Sequence, residues 1–243
     1  YTIKGQRPSD ETGTYRYKFD APKSWAGQRV KIFFDGVMTD AEIMINGKPA
    51  GEMHQGGFYR FNYDITELLN LGKKNQLEVK VAKESANRSI NAAERKADWW
   101  LFGGIYRPVW LEVLPQVHME HFVLNADHHG KLQTAVDMAG DAKGHEIIVS
   151  VRSLKDGKTV YTSNGQTTIT HPINNSDKEQ MISGEWASII PWSTENPNLY
   201  VAKLELKNPE GKIVQTRETR IGFRTVEFFP QDGVYLNGTK PVS

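Results

Sequence analysis

The 243-residue sequence contains no cysteine, which excludes disulfides and thiolate metal sites but does not fix the compartment. Net charge is almost absent as well. The formal value is +1, with acids and bases mixed along the chain. Nucleic acid and anionic membrane surfaces need a concentrated basic patch, so neither is expected as a partner. Long apolar runs are missing, since none approaches the ~18 residues of a membrane span. No leader-like segment opens the chain, and it begins at Tyr1 rather than Met, which reads as a trimmed or mature product. Internal repeats and low-complexity runs are also missing. What is present is enough apolar material for a core, 38% hydrophobic with 10% aromatic, in a length that suits one large or two ordinary domains. That balance argues against disorder.

The patterning is that of short strands. Thr14 to Phe19 places Tyr15, Tyr17 and Phe19 on one face, which predicts a half-buried strand. Val30 to Phe34 and Ala41 to Ile45 are further strands. Asn46-Gly47 is a type I′ hairpin signal, with Pro49 to Met53 as the expected return. Asp64 with Glu67 predicts a capping box on a short helical turn. Leu77, Val79 and Val81 alternate with polar residues in the next strand, and Lys83 to Ala97 reads as a long polar connection. The pattern restarts after Leu114-Pro115, with strands at 118–124, 132–138, 146–154, 160–161, 201–206 and 213–223. Strands at this spacing without a long helix predict β-sandwiches. Leu236-Asn237-Gly238-Thr239 signals a last hairpin whose return strand is missing from the sequence.

The stretch from Asp98 to Trp110 organises the rest. It holds Asp98, Trp99 and Trp100, then Gly103-Gly104-Ile105-Tyr106-Arg107-Pro108. Two glycines permit positive φ and close approach of another chain segment or a ligand. Pro108 pushes Arg107 to extended geometry. The strand that follows puts Val109, Leu111 and Val113 on one face and Trp110 and Glu112 on the other. A loop that displays aromatics and an acid before a buried strand suits a binding site on a rigid scaffold. Arg107 is expected in a buried fork with a carboxylate that holds the loop. Elsewhere, Trp192 and Tyr200 read as sandwich core. His118 and His121 should face opposite sides of a strand, which argues against a metal pair. His128-His129-Gly130 reads as a turn. Asn87, Asn174 and Asn237 open Asn-x-Ser/Thr triplets, which occur at this rate by chance.

Six segments in order resemble the N-terminal part of glycoside hydrolase family 2, which includes β-galactosidases, β-glucuronidases and β-mannosidases. They are Thr14-Tyr15-Arg16, Ile45-Asn46-Gly47, Gly57-Phe58 through Asp64-Ile65-Thr66, Gly103-Gly104-Ile105-Tyr106-Arg107, Pro191-Trp192 through Ile221-Gly222-Phe223-Arg224, and Val234 to Gly238. The resemblance implies an all-β chain. Residues 1–116 would be a jelly-roll, galactose-binding-like sandwich, 117–224 an immunoglobulin-like sandwich, and 225–243 the lead-in to a (β/α)₈ catalytic barrel that this chain lacks. The two catalytic glutamates of retaining hydrolysis would lie in that barrel. No catalytic residue is therefore expected here. Glu195-Asn196-Pro197 inverts the family's acid/base motif and receives no catalytic role.

By the same resemblance Asp98 is a substrate-binding residue that reaches sugar hydroxyls. Trp99 and Trp100 are its aromatic neighbours, at least one of them as a core or domain-interface anchor. Gly103, Gly104 and Arg107 would structure the loop. The family's sodium site near this aspartate draws its other ligands from the barrel, so no metal and no cofactor is assigned. The implied partners are a β-glycoside substrate, the C-terminal barrel of the same chain and other copies in an oligomer. The compartment stays open between periplasm or secretion and cytoplasm. A free-standing carbohydrate-binding module and a structural pair of sandwiches are the competing readings, because sandwiches host many functions.

Overall fold

A computed structural model describes residues 11–95 and 103–240. The chain divides into two compact units, residues 1–114 and 115–243. In the first, the strands are β1 (Thr12–Ala21), β2 (Gln28–Phe34), β3 (Val37–Met38), β4 (Asp40–Ile45), β5 (Lys48–Pro49), β6 (His54–Gln55), β7 (Phe61–Asp64), β8 (Lys73–Ala82), β9 (Gly104–Ile105) and β10 (Val109–Pro115). A five-stranded sheet runs β1-β8-β4-β5 with β6 also on β4, and a three-stranded sheet runs β10-β2-β7. Their inner faces meet in one core that includes Ile32, Phe34, Ile43, Ile45 and Val79, with Val109, Leu111 and Val113 packed on it. The period-2 runs place these side chains inward, as alternation requires.

Asn46 and Gly47 both take positive φ, 52° and 77°, and close the β4–β5 hairpin. The return is shorter than expected. Only Lys48–Pro49 pairs, and Met53 is not a partner of β4, because His54–Gln55 pairs instead with the start of that strand. The capping box also differs. Asp64 ends β7, and its Oδ1 accepts from the backbone N and the hydroxyl of Thr66, at 3.0 Å and 2.5 Å. The 3₁₀ turn Thr66–Leu68 has no side-chain cap of its own.

Strand β1 corrects a second expectation. Tyr15 and Tyr17 stand opposite the buried Val79 and Leu77, so they are on the inward face, yet they are 43% and 68% exposed. Strand β1 is the edge of the wider sheet, and the facing sheet has three strands, so the inward face of the edge goes uncovered. The segment read as a polar connection holds a helix, α1 (Arg88–Glu94), capped by the Asn87 side chain on Ser89 N. Asn87 is thus a helix cap, a residue type favoured there because its oxygen satisfies an otherwise unpaired N–H.

The second unit is a sandwich of β11 (His118–Ala126), β12 (Lys131–Ala139), β13 (Glu146–Ser153), β14 (Thr159–Val160), β15 (Ile169–Pro172), β16 (Glu179–Glu185), β17 (Tyr200–Lys207) and β18 (Ile213–Ile221). One sheet runs β11-β12-β16. The other runs β14-β13-β17-β18 with β15 on β13. Its core includes Val136, Ile147, Trp186, Leu204 and Phe223. Trp192, expected in that core, is only half-buried and lies under the Arg224 guanidinium at 4.8 Å. Trp186 is the buried tryptophan. The turn at His128 to Gly130 forms as expected, with Asp127 Oδ1 accepting from His129 N and Lys131 N.

The last hairpin does close. β19 (Val226–Phe229) pairs with β20 (Gly233–Leu236), and Leu236 bridges Thr239 across Asn237-Gly238. Asn237 then binds Thr225 N and Trp192 O, which ties the hairpin to the sandwich.

Candidate functional site

Asp98, Trp99 and Trp100 lie outside the described residues. The structure describes the stems on either side of them, Lys83 to Arg95 and Gly103 to Arg107. On the far side, β9 pairs with β3, so that Gly104 stands opposite Met38. Gly104 has φ 84°, and a Cβ there would lie 2.0 Å from the Tyr15 hydroxyl oxygen. Both facts require glycine at this position, since a side chain is strained at such φ and would displace the tyrosine. Gly103 is different. It is exposed, its φ is not in the left-handed region, and a Cβ would make ordinary contact with the Lys83 side chain.

Arg107 corrects the expected fork. It is exposed, its guanidinium donates to the Asp35 backbone carbonyl at 3.4 Å, and it lies 5.2 Å from the centre of the Tyr106 ring. The Asp35 carboxylate is taken by other groups. Arg60 Nε donates to Oδ1 at 2.6 Å and Trp110 Nε1 donates to the same oxygen at 3.1 Å. Trp110 stacks flat on Phe33 at 4.2 Å. Asp35 N also donates to Pro108 O, so the β2–β3 turn and the start of β10 are joined through Asp35. Sequence reasoning missed this aspartate. Its position after the apolar strand Val30 to Phe34 gave only a turn signal.

On the near side, Thr39 is fully buried, donates its hydroxyl to Lys83 O at 3.0 Å and accepts from Arg95 Nη2 at 2.9 Å. Asp40 Oδ2 accepts from Ala86 N at 2.8 Å and from Gln55 Nε2 at 3.1 Å. Asn91 and Ser85 exchange backbone and side-chain bonds. A connection with no sheet pattern is therefore pinned to the sandwich along most of its length.

The loop between β6 and β7 completes the wall. Gly57 N donates to Glu94 Oε2 at 2.8 Å, and the Tyr106 hydroxyl donates to Gly57 O. Phe58 and Tyr59 beside it are about half exposed. His54 stacks on Phe61 at 3.6 Å and bonds Gly56 O at 2.9 Å. Burial lowers the His54 pKa below its usual 6.5, partly opposed by the bond to Gly56 O and by the charges of Asp40 and Glu94. The unfolded chain then takes up the proton more readily than the folded one. Stability should fall as pH drops from about 6.5 through the folded value. Thermal melts of the chain from pH 7.5 to 5 should show this slope, and His54→Phe, which keeps a ring on Phe61, should flatten it. An unchanged slope in that variant would assign the acid sensitivity to other groups.

Among the described residues no group of three or more His, Asp or Glu side chains could hold a metal ion, and no helix is long and apolar enough to cross a membrane. His118 is buried and His121 exposed, on either side of a register shift in β11. Glu195 is exposed, and the Thr194 hydroxyl, at 2.6 Å, is the main cause that holds its carboxyl below the usual range. That is the opposite of what a general acid needs.

Two all-β sandwiches, the first with a pinned loop beside paired glycines, define an accessory carbohydrate-type architecture rather than a self-contained active site. Residues 2–115 match the model described as glycosyl hydrolases family 2, sugar binding domain, and residues 117–224 match that of glycosyl hydrolases family 2. The chain belongs to glycoside hydrolase family 2, as its sugar-binding domain and the domain that follows. It is 29% identical over 228 residues to a β-galactosidase of Thermoanaerobacter pseudethanolicus, covering 92% of this chain and 30% of that protein. It is 31% identical over 228 residues to a putative β-glucuronidase of Formosa agariphila, covering 93% and 20%. Among solved structures, a putative β-galactosidase from Bacteroides fragilis superposes with a TM-score of 0.76 at 23% identity, over 96% of this chain and 36% of that one. The chain thus spans between a fifth and a third of the length of these curated relatives.

Proposed function

We propose that this chain is the non-catalytic N-terminal portion of a retaining glycoside hydrolase that acts on terminal β-glycosides, β-galactosides first. The observation that carries the reading is the ratio of coverages: over nine-tenths of this chain aligns with under a third of each of those two relatives. The remainder of such a protein would hold the two carboxyl groups of retaining chemistry, ~5 Å apart. The hairpin β19–β20 supports the same reading. It exposes Val226, Phe228, Phe229 and Val234, with Phe228 at 77%, a surface that a following domain would cover. In this reading 225–243 lead into that domain, the sandwich loop supplies Asp98 to the sugar, Trp99 and Trp100 flank it, and oligomer contacts use the remaining sandwich surface.

The test compares the purified 243-residue chain with the full-length gene product on nitrophenyl β-glycosides. The isolated chain should show no turnover above buffer, while the full-length protein should turn over at least one of the galactoside, glucuronide and mannoside. Turnover by the isolated chain would overturn the reading. Binding heat with a simple galactoside in the isolated chain, together with an inactive full-length product, would favour a free-standing carbohydrate-binding module.

A further inference from the structure

We propose that Gly57 is the clasp of the site loop, and that Glu94 and Tyr106 are positioning residues that act through it. The inference rests on the reading of residues 96–102 as the sugar-facing loop. The observation is that one buried peptide unit takes both stems. Gly57 N–H donates to the carboxylate of Glu94, which ends α1 just before the loop. Gly57 C=O accepts from the hydroxyl of Tyr106, just after β9. A second pair of contacts runs parallel to the first. Met38 pairs with Gly104 across β3 and β9, and the next residue, Thr39, accepts from Arg95. Consecutive residues of one strand region therefore hold Arg95 and Gly104, while a single glycine holds Glu94 and Tyr106.

Anchoring a loop by its ends matters because the entropy of closing a flexible segment must otherwise be overcome each time the loop adopts one geometry. The bond to Glu94 is charge-assisted, the stronger kind. Nothing can be added at Gly57 without disturbing the clasp. A Cβ there would lie 2.8 Å from Met38 Cε, in the core, and 3.3 Å from the Glu94 oxygen that accepts the bond. Glycine is therefore fitted to this position by close approach rather than by backbone conformation. The clasp is also insulated from the fold at large. Glu94 and Tyr106 belong to neither sheet, so breaking their bonds to Gly57 removes no ladder pairing.

The test uses two readouts. In the 243-residue chain, trypsin cleavage after Lys96 follows the population of the opened loop when opening is fast. Glu94→Ala and Tyr106→Phe should each speed that cleavage by about tenfold, the weight of one hydrogen bond to a charged or well-aligned partner. Glu94→Gln, which keeps an acceptor oxygen, should remain near the parent rate. In the full-length protein the same two variants should raise KM for the nitrophenyl glycoside more than they lower kcat, with an unchanged melting temperature. The Gln variant should again be rescued. Unchanged cleavage in both Glu94→Ala and Tyr106→Phe would overturn the clasp. Faster cleavage with unchanged KM would uphold the clasp and overturn instead the reading of the loop as a substrate wall.

Discussion

Asn75→Leu should destabilise the first unit by roughly 3 to 5 kcal/mol, from the cost of leaving several buried polar groups unpaired at about 1–3 kcal/mol each. Asn75 is 1% exposed, and every polar site on its amide is used. Its Oδ1 accepts from Asn70 N and from Asn46 Nδ2, both at 2.7 Å. Its Nδ2 donates to Asn70 O at 3.1 Å and Lys73 O at 3.0 Å. Asn46 in turn donates to Leu68 O and accepts from Gln76 N. The pair therefore ties the β4–β5 turn, the 3₁₀ turn and the start of β8 into one network. Leucine has a similar volume, so the loss isolates hydrogen bonding from cavity formation. Thermal or urea unfolding of the 243-residue chain measures it, read on the transition of the first unit. Asn75→Asp adds a check by sign. The carboxylate would face two carbonyls, so its folded pKa lies above the ~3.9 of an unfolded aspartate and the penalty, full at neutral pH, shrinks as pH falls. A loss under 1 kcal/mol for the leucine variant would show that the turns hold without the network.

What the sequence disclosed follows from what a period can encode. Runs such as Ile43-Met44-Ile45 and Leu77 to Val81 alternate between one buried and one solvated face, and their strands form where the alternation places them. The strand β16 escaped because Met181, outward and 61% exposed, sits between the inward Gln180 and Ile182, so apolar and polar residues occur on both faces. Helix α1 escaped for a related reason. It has seven residues, too few to show an apolar stripe, and none is buried. Trp192 was misplaced because size alone cannot tell a core tryptophan from one that caps a sheet beneath an arginine. For the site, glycine at 104 was legible from its spacing and is required by its φ. The partners of Asp35 and Gly57 were not, because they come from positions 25 to 75 residues away, and a single sequence carries no record of such pairings.

Asp98→Ala in the full-length protein should lower kcat/KM by roughly 10²- to 10⁴-fold, on the footing that hydrogen bonds to a charged group contribute about 1.5–3 kcal/mol each and that a sugar-facing carboxylate accepts two. Asp98→Asn keeps one acceptor and gains donors, so it should fall between alanine and the parent. Melting temperature should not move, because the stems are held by Thr39, Met38 and Gly57 and not by the residues between them. If Asp98 binds hydroxyls mainly in the transition state, kcat carries the loss; if it binds them equally in the ground state, KM does. The clasp gives this variant a second use. Glu94→Ala acts only by letting the loop wander, so its kinetic cost depends on there being a carboxylate to misplace. In an Asp98→Ala background, Glu94→Ala should therefore cost little more, a departure from additivity expected of residues that act as one unit. Full additivity would separate the two residues and leave Glu94 with a purely structural task. An Asp98→Ala enzyme within threefold of the parent would remove the loop from the substrate site altogether, and the sandwich would then serve the catalytic part only as a scaffold.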